Sequence, residues 1–306
     1  TIELKALFPA GSTTRRLTVE YTNHPSWLVI QSLPSLATPD QDNAVSLAAA
    51  YYANGIAAYL VHQNPDLKKV VELWKKEGSG GSSLLSRLNQ DQNLKKLVLD
   101  ETPWVLEADR QTGQKQRLCE LFDENLIQSR REDVLSKLHR LQYPDGSWAW
   151  WPGMSGSIYM TEAVSEALVR LNAMTGNQTE TSGMLEQAFK WMTGKLHEEV
   201  IQLKKEQSKG FRDILPSEEA LRFLYINVID GRTLSSQGEA DNTYLVDLIA
   251  DHGSEMTIYG KARTAIILAK NNQVRKAKEY LQSVKEYSVY TDEMGRYFDT
   301  RKAQYN

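Results

Sequence analysis

The chain has 306 residues, 41% of them hydrophobic and 25% charged, with 36 basic against 39 acidic side chains for a net charge of −3. That length suits one large domain or two ordinary ones, and the composition is that of a soluble globular protein. The near-neutral balance argues against a nucleic-acid binder, which needs a basic face, and no run of ~18 apolar residues marks a membrane span. The single cysteine, Cys119, excludes an internal disulfide and a cysteine-built zinc site.

Residues 1–10 lack the basic-then-apolar order of a signal peptide. The chain opens on Thr1 in the manner of a strand, and we expect it to be a piece of a longer precursor. Residues 2–7 and 17–21 alternate apolar and polar side chains around the turn Gly11-Ser12-Thr13-Thr14, the pattern of a short β-hairpin. Two strands alone are marginal, so residues 1–22 read as the β tail of a preceding domain.

From about Asn43 the pattern is helical. Residues 44–63 carry Ala44, Leu47, Ala48, Tyr51, Tyr52, Ile56, Tyr59 and Leu60 at spacings of three and four. Pro65 opens a second helix as a first-turn proline, which should end before Gly78, where Gly78-Ser79-Gly80-Gly81-Ser82-Ser83 reads as a loop. Further helices are expected over 83–89, 116–127, 129–142, 158–175, 183–206, 216–229, 241–252, 257–271 and 273–286. Breakers such as Tyr143-Pro144-Asp145-Gly146, Gly176-Asn177, Lys209-Gly210 and Gly253-Ser254 separate them. The helices come in pairs of roughly forty to fifty residues, a weak period that points to stacked αα-hairpins, in a solenoid or a closed α/α ring.

Few residues suggest catalysis. Cys119 lies among Leu118, Leu121 and Phe122 and reads as buried apolar filler. The five histidines, His24, His62, His139, His197 and His252, form no pair at ligand spacing; His197-Glu198-Glu199 has no second histidine at i+4. No P-loop, G-x-S-x-G or G-x-G-x-x-G is present. Asp145 reads as a turn former before Gly146, and Glu218-Glu219 as charge at a helix N-terminus after Pro216-Ser217. The most unusual stretch is Asp145-Gly146-Ser147-Trp148-Ala149-Trp150-Trp151-Pro152-Gly153, which leads to Tyr159-Met160-Thr161. Its tryptophans either tuck between helix pairs and lock them, or form an aromatic platform for a sugar or a partner protein. Asp145, Trp148, Trp150, Trp151 and Tyr159 are therefore the candidate interface or packing residues. No catalytic, cofactor or metal set stands beside them.

Six stretches together carry a resemblance. They are Asn23-His24-Pro25-Ser26-Trp27-Leu28-Val29-Ile30-Gln31-Ser32-Leu33-Pro34; Tyr51-Tyr52-Ala53-Asn54; Leu99-Asp100-Glu101-Thr102-Pro103-Trp104-Val105-Leu106; Leu121-Phe122-Asp123; the tryptophan stretch with Tyr159-Met160-Thr161; and Tyr290-Thr291-Asp292-Glu293-Met294-Gly295. In this order they resemble the thioester-type domain of bacterial alpha-2-macroglobulins over residues 20–302. The resemblance implies a mainly α fold, an α/α toroid of helix hairpins over 23–306, similar to the complement thioester domain and the terpene-cyclase rings. It further implies a parent in the periplasm or cell envelope that traps proteases by conformational change.

Thioester-bearing members carry Cys-x-Glu-Gln before the first long toroid helix. The matching stretch here, Leu36-Ala37-Thr38-Pro39-Asp40-Gln41-Asp42-Asn43, has no cysteine, so this chain cannot form the internal Cys–Gln thioester. The resemblance thus implies a non-catalytic, thioester-less module whose partners are neighbouring domains of the parent, with proteases as the parent's targets. The alternatives are an α/α-toroid polysaccharide lyase or hydrolase, and a structural docking module.

Overall fold

A computed structural model describes Gly11 and residues 25–79, 113–114, 116–211, 214–251, 256–292 and 295–298. The hairpin expected over 1–22, the helix expected over 83–89 and the stretch 99–106 lie outside the described residues. The described chain is mainly helical, in agreement with the expected class. Its helices are α1 (Pro25–Ala37), α2 (Ala44–Gln63), α3 (Pro65–Ser79), α4 (Glu124–Leu141), α5 (Ile158–Thr175), α6 (Ser182–Ser208), α7 (Glu218–Asp230), α8 (Ser236–Asp251), α9 (Ile258–Lys270) and α10 (Val274–Glu286). Strands β1 (Ser288–Thr291) and β2 (Gly295–Phe298) pair antiparallel, with Ser288 opposite Phe298 and Thr291 opposite Gly295.

Several boundaries differ from expectation. Helix α1 was not anticipated: Pro25 suits a first turn, while Pro34, which reads as a breaker, sits inside the helix. Helix α3 continues through Gly78 and Ser79. Glycine lowers helix propensity by about 1 kcal/mol but leaves the backbone hydrogen bonds in place. The helix expected over 116–127 stops at residue 121. Asp123 starts a new one, its Oδ1 accepting from the Asn125 and Leu126 amides at 3.1 and 3.2 Å. The β1–β2 hairpin was also not foreseen, because its short strands lack a clean alternation of apolar and polar residues.

The chain forms two compact units, Thr1–Thr38 with Ala57–Ser129, and Pro39–Ile56 with Arg130–Asn306. In the first, Leu33, Val61, Val71, Leu118, Leu121, Phe122 and Ile127 are buried. Cys119 is buried too, as expected of apolar filler, with Sγ 3.9 Å from the Val71 carbonyl oxygen. Lys75 pairs with Asp123 at 2.6 Å in the same unit.

The second unit has one continuous apolar core, contributed by the start of α2 and by α4 to α10. Alternate helices touch: α5 packs on α7 and α7 on α9, while α6 packs on α8. Successive helices also pack on one another, α5 with α6, α6 with α7, α8 with α9 and α9 with α10. The ends of these helices are set locally. Ser157 and Ser217 cap α5 and α7 by accepting from the Met160 and Ala220 amides, and Gly176 and Gly231, both at positive φ, close their C-termini. Close packing needs a glycine at position 55, where a Cβ would lie 2.5 Å from Leu171 Cδ2.

Helix α2 is long and apolar enough to cross a membrane, with a mean hydropathy of 1.4 over its best window, contrary to the sequence reading. Yet 56% of that window is buried within the protein, where Leu47, Ala50, Tyr51 and Ala53 join the core face, as in a core helix.

Candidate interaction site

The loop over residues 142–157 joins α4 to α5 and is held from both sides. The Gly146 amide donates to the Tyr143 carbonyl and the Tyr143 amide to the Ser147 carbonyl, both at 2.8 Å. Asp145 Oδ1 accepts from the Ser147 amide at 2.9 Å and from Ser147 Oγ at 2.7 Å. Its carboxylate is thus engaged in the turn, as expected of a turn former. Gly146 has φ +97°, and a Cβ there would lie 2.2 Å from the Gln187 carbonyl oxygen on α6, so the loop meets α6 at van der Waals distance. Gln142 Nε2 donates to the Gly146 and Met184 carbonyls at 2.9 Å each, tying loop and helix together.

The tryptophans divide by environment. Trp148 is 0% exposed. Its indole donates to the Leu138 carbonyl on α4 at 3.1 Å, and its amide to Thr161 Oγ1 on α5 at 3.0 Å. It is the ring that locks the helices. Trp150 and Trp151 are 48% and 56% exposed, and Tyr159 is 50% exposed. Trp150 lies flat on Tyr159, with ring centroids 5.3 Å apart and planes within 4°. Beneath the loop is a cavity of about 120 Å³ whose lining includes Asp42, Arg140, Tyr143 and both exposed tryptophans.

An arginine–carboxylate network, unremarked in the sequence, continues from this stack along α5, α7 and α9. The Arg222 guanidinium lies over the Tyr159 ring at 5.5 Å, and its Nε donates to Glu166 Oε2 at 2.7 Å. Arg263 Nη2 is 3.6 Å from the same oxygen, and its guanidinium lies 4.1 Å from the Tyr259 centroid. Arg170 approaches Glu166 Oε1 at 3.4 Å and donates to the Tyr225 hydroxyl at 2.6 Å. The Trp150–Tyr159 stack is thus joined to Arg222, and Arg263 to Tyr259, with the buried Glu166 carboxylate between the two arginines.

One turn before Glu166, Glu162 is 1% exposed, and neither carboxyl oxygen has a hydrogen-bond partner. Burial pushes its pKa up to about 9; Arg222 and Arg263 oppose this, and Glu219 and Glu166 add to it. It lines a cavity of about 280 Å³ between α5, α6 and α7. The signal for these residues was present as Tyr159, Glu162, Glu166 and Arg170, polar groups three to four apart along α5. Their partners sit some sixty and one hundred residues away, where no sequence pattern connects them.

Elsewhere polar side chains do structural work. His197 Nδ1 is 2.8 Å from Asp241 Oδ2, and Asp241 is fully buried. Glu199 accepts from the Ser217 amide and hydroxyl at 2.7 Å each and so braces the cap of α7, whose first turn holds Glu218 and Glu219 as expected. Among the described residues no group of three His, Cys, Asp or Glu side chains could hold a metal ion. No family model, curated protein or solved structure matches this chain.

Proposed function

We propose that this chain is a non-catalytic α/α-toroid module of a bacterial alpha-2-macroglobulin-like envelope protein, contributing to protease trapping through contacts rather than through a thioester. The divided tryptophan loop carries the reading. Trp148 anchors the loop rigidly, so that Trp150 is presented on Tyr159 as a preorganised aromatic surface. Such a surface, flanked by arginine, suits a protein interface, where aromatic residues and arginine dominate. The packing of alternate and successive helices and the motif order support the toroid. The missing cysteine in residues 36–43 supports the thioester-less mechanism.

The test uses the full-length parent. It is incubated with a panel of proteases, and cleavage of a small peptide and of a large protein is followed. A caged protease loses the large substrate and keeps the small one, and replacing both Trp150 and Tyr159 with alanine weakens that difference. If both substrates are cleaved as before, the trap reading fails and a docking module becomes the better account. The exposed stack also favours a sugar platform, as in a polysaccharide lyase or hydrolase. Tryptophan fluorescence unchanged across a glycan panel would reject that alternative.

A further inference from the structure

The cavity between α5, α6 and α7 has an apolar wall and a carboxyl group with nothing to bond. Ile158, Met192, Leu196 and Phe223 supply the wall, and Glu162, almost wholly buried, lines it with both oxygens unpartnered. Buried polar atoms without partners are rare in folded proteins, and a volume of about 280 Å³ far exceeds the ~30 Å³ share of one water. We propose that this cavity binds a primary alkylammonium group, with Glu162 as its counter-ion and the apolar wall around its methylene stem.

The charge of the lining selects the ligand. Glu162, Glu199 and Glu219 face the cavity against one cation, Lys195, which is engaged by Glu198 at 2.8 and 3.0 Å. Arg222 and Arg263 lie near Glu162, but both are drawn to Glu166. Glu199 is occupied by Ser217, which leaves the buried Glu162, with Glu219 beside it, to meet an incoming donor. An anion would meet three carboxyl groups. A metal ion would lack ligands, since Glu162 belongs to no ligating cluster among the described residues. An ammonium on an aliphatic stem satisfies the buried carboxyl by a charge-assisted hydrogen bond and fills the apolar space. A lysine side chain of a partner and a free small amine share this chemistry. The inference stands apart from the trap reading: loss of either leaves the other intact.

Calorimetric titration of this chain separates the sources. The ligands are n-butylammonium, Nα-acetyl-lysine N-methylamide and, as a stem without charge, Nα-acetyl-norleucine N-methylamide. The two ammonium ligands should bind saturably and the norleucine ligand should not. Binding should tighten from about pH 7 to about pH 9, by up to about tenfold per pH unit, as the carboxyl gives up its proton. Binding of the lysine ligand alone assigns the site to a partner's side chain, and binding of both ammonium ligands assigns it to any small amine. Glu162→Gln should weaken binding at least about tenfold and flatten the pH dependence. If that variant loses its helical circular dichroism, Glu219→Gln takes its place and should weaken binding about threefold. No saturation by about 10 mM, or equal binding in the variants, overturns the proposal.

Discussion

Replacing Trp148 with alanine tests whether the loop is anchored as described. The indole is fully buried, and a buried tryptophan removes about 200 Å² from water, which at about 25 cal/mol/Å² is worth about 5 kcal/mol. Measured truncations of large core aromatics, at about 3–5 kcal/mol, agree with that figure. The lost indole bond to the Leu138 carbonyl adds about 1 kcal/mol. The expected loss is therefore about 4–6 kcal/mol, close to the whole stability of a marginal domain. Trp150→Ala removes a half-exposed ring and one stack, for a loss of no more than about 2 kcal/mol. Urea unfolding followed by far-ultraviolet circular dichroism reads both, since the chain's seven tryptophans would blur a fluorescence signal. Trp148→Phe should fall between, keeping most of the apolar contact and losing the indole donor. If Trp148→Ala unfolds within about 1 kcal/mol of the parent chain, or if Trp150→Ala costs as much as Trp148→Ala, the assignment of the two rings is wrong.

Two further outcomes follow from the buried carboxyl groups. Glu162 binds its proton more tightly folded than unfolded, so between its ordinary value near 4.5 and about 9 the folded state holds the extra proton and stability falls as pH rises. Glu162→Gln removes that dependence: its stability relative to the parent should grow by about 1.4 kcal/mol per pH unit over that window, read as urea midpoints at several pH values, and parallel profiles would refute it. Arg222→Met takes from Glu166 its shortest ion pair while Arg263 and Arg170 remain beside it, and should cost about 1–3 kcal/mol in the same unfolding assay. Glu166→Gln leaves Arg222 and the buried Arg263 without their carboxylate and should cost more than Arg222→Met, and an equal or smaller loss would show that Glu166 does not hold the cluster.

Much of the local structure was legible in the sequence because it is written in neighbours. Spacings of three and four placed α2 and α5 to α10 to within a few residues, apart from the start of α8. Tyr143-Pro144-Asp145-Gly146 announced the turn that Asp145 closes. Cys119 was read correctly from the apolar residues beside it. The misreadings came where two local signals competed: Pro34 masked α1, Gly78 suggested a loop inside α3, and Asp123 divided a run that looked continuous.

The tertiary structure alone decided which tryptophan is which. Trp148, Trp150 and Trp151 are chemically alike and almost adjacent, and only the positions of Leu138 and Thr161 send one ring inward and leave the others at the surface. The same holds for the carboxyl groups. Glu162 and Glu166 are one helical turn apart in like sequence surroundings. Yet Glu166 meets arginines from α7 and α9 while Glu162 meets a cavity. Periodicity along the chain records which face of a helix is buried. The free energy of a buried charge depends on the groups that distant helices bring to it, and those are set by packing.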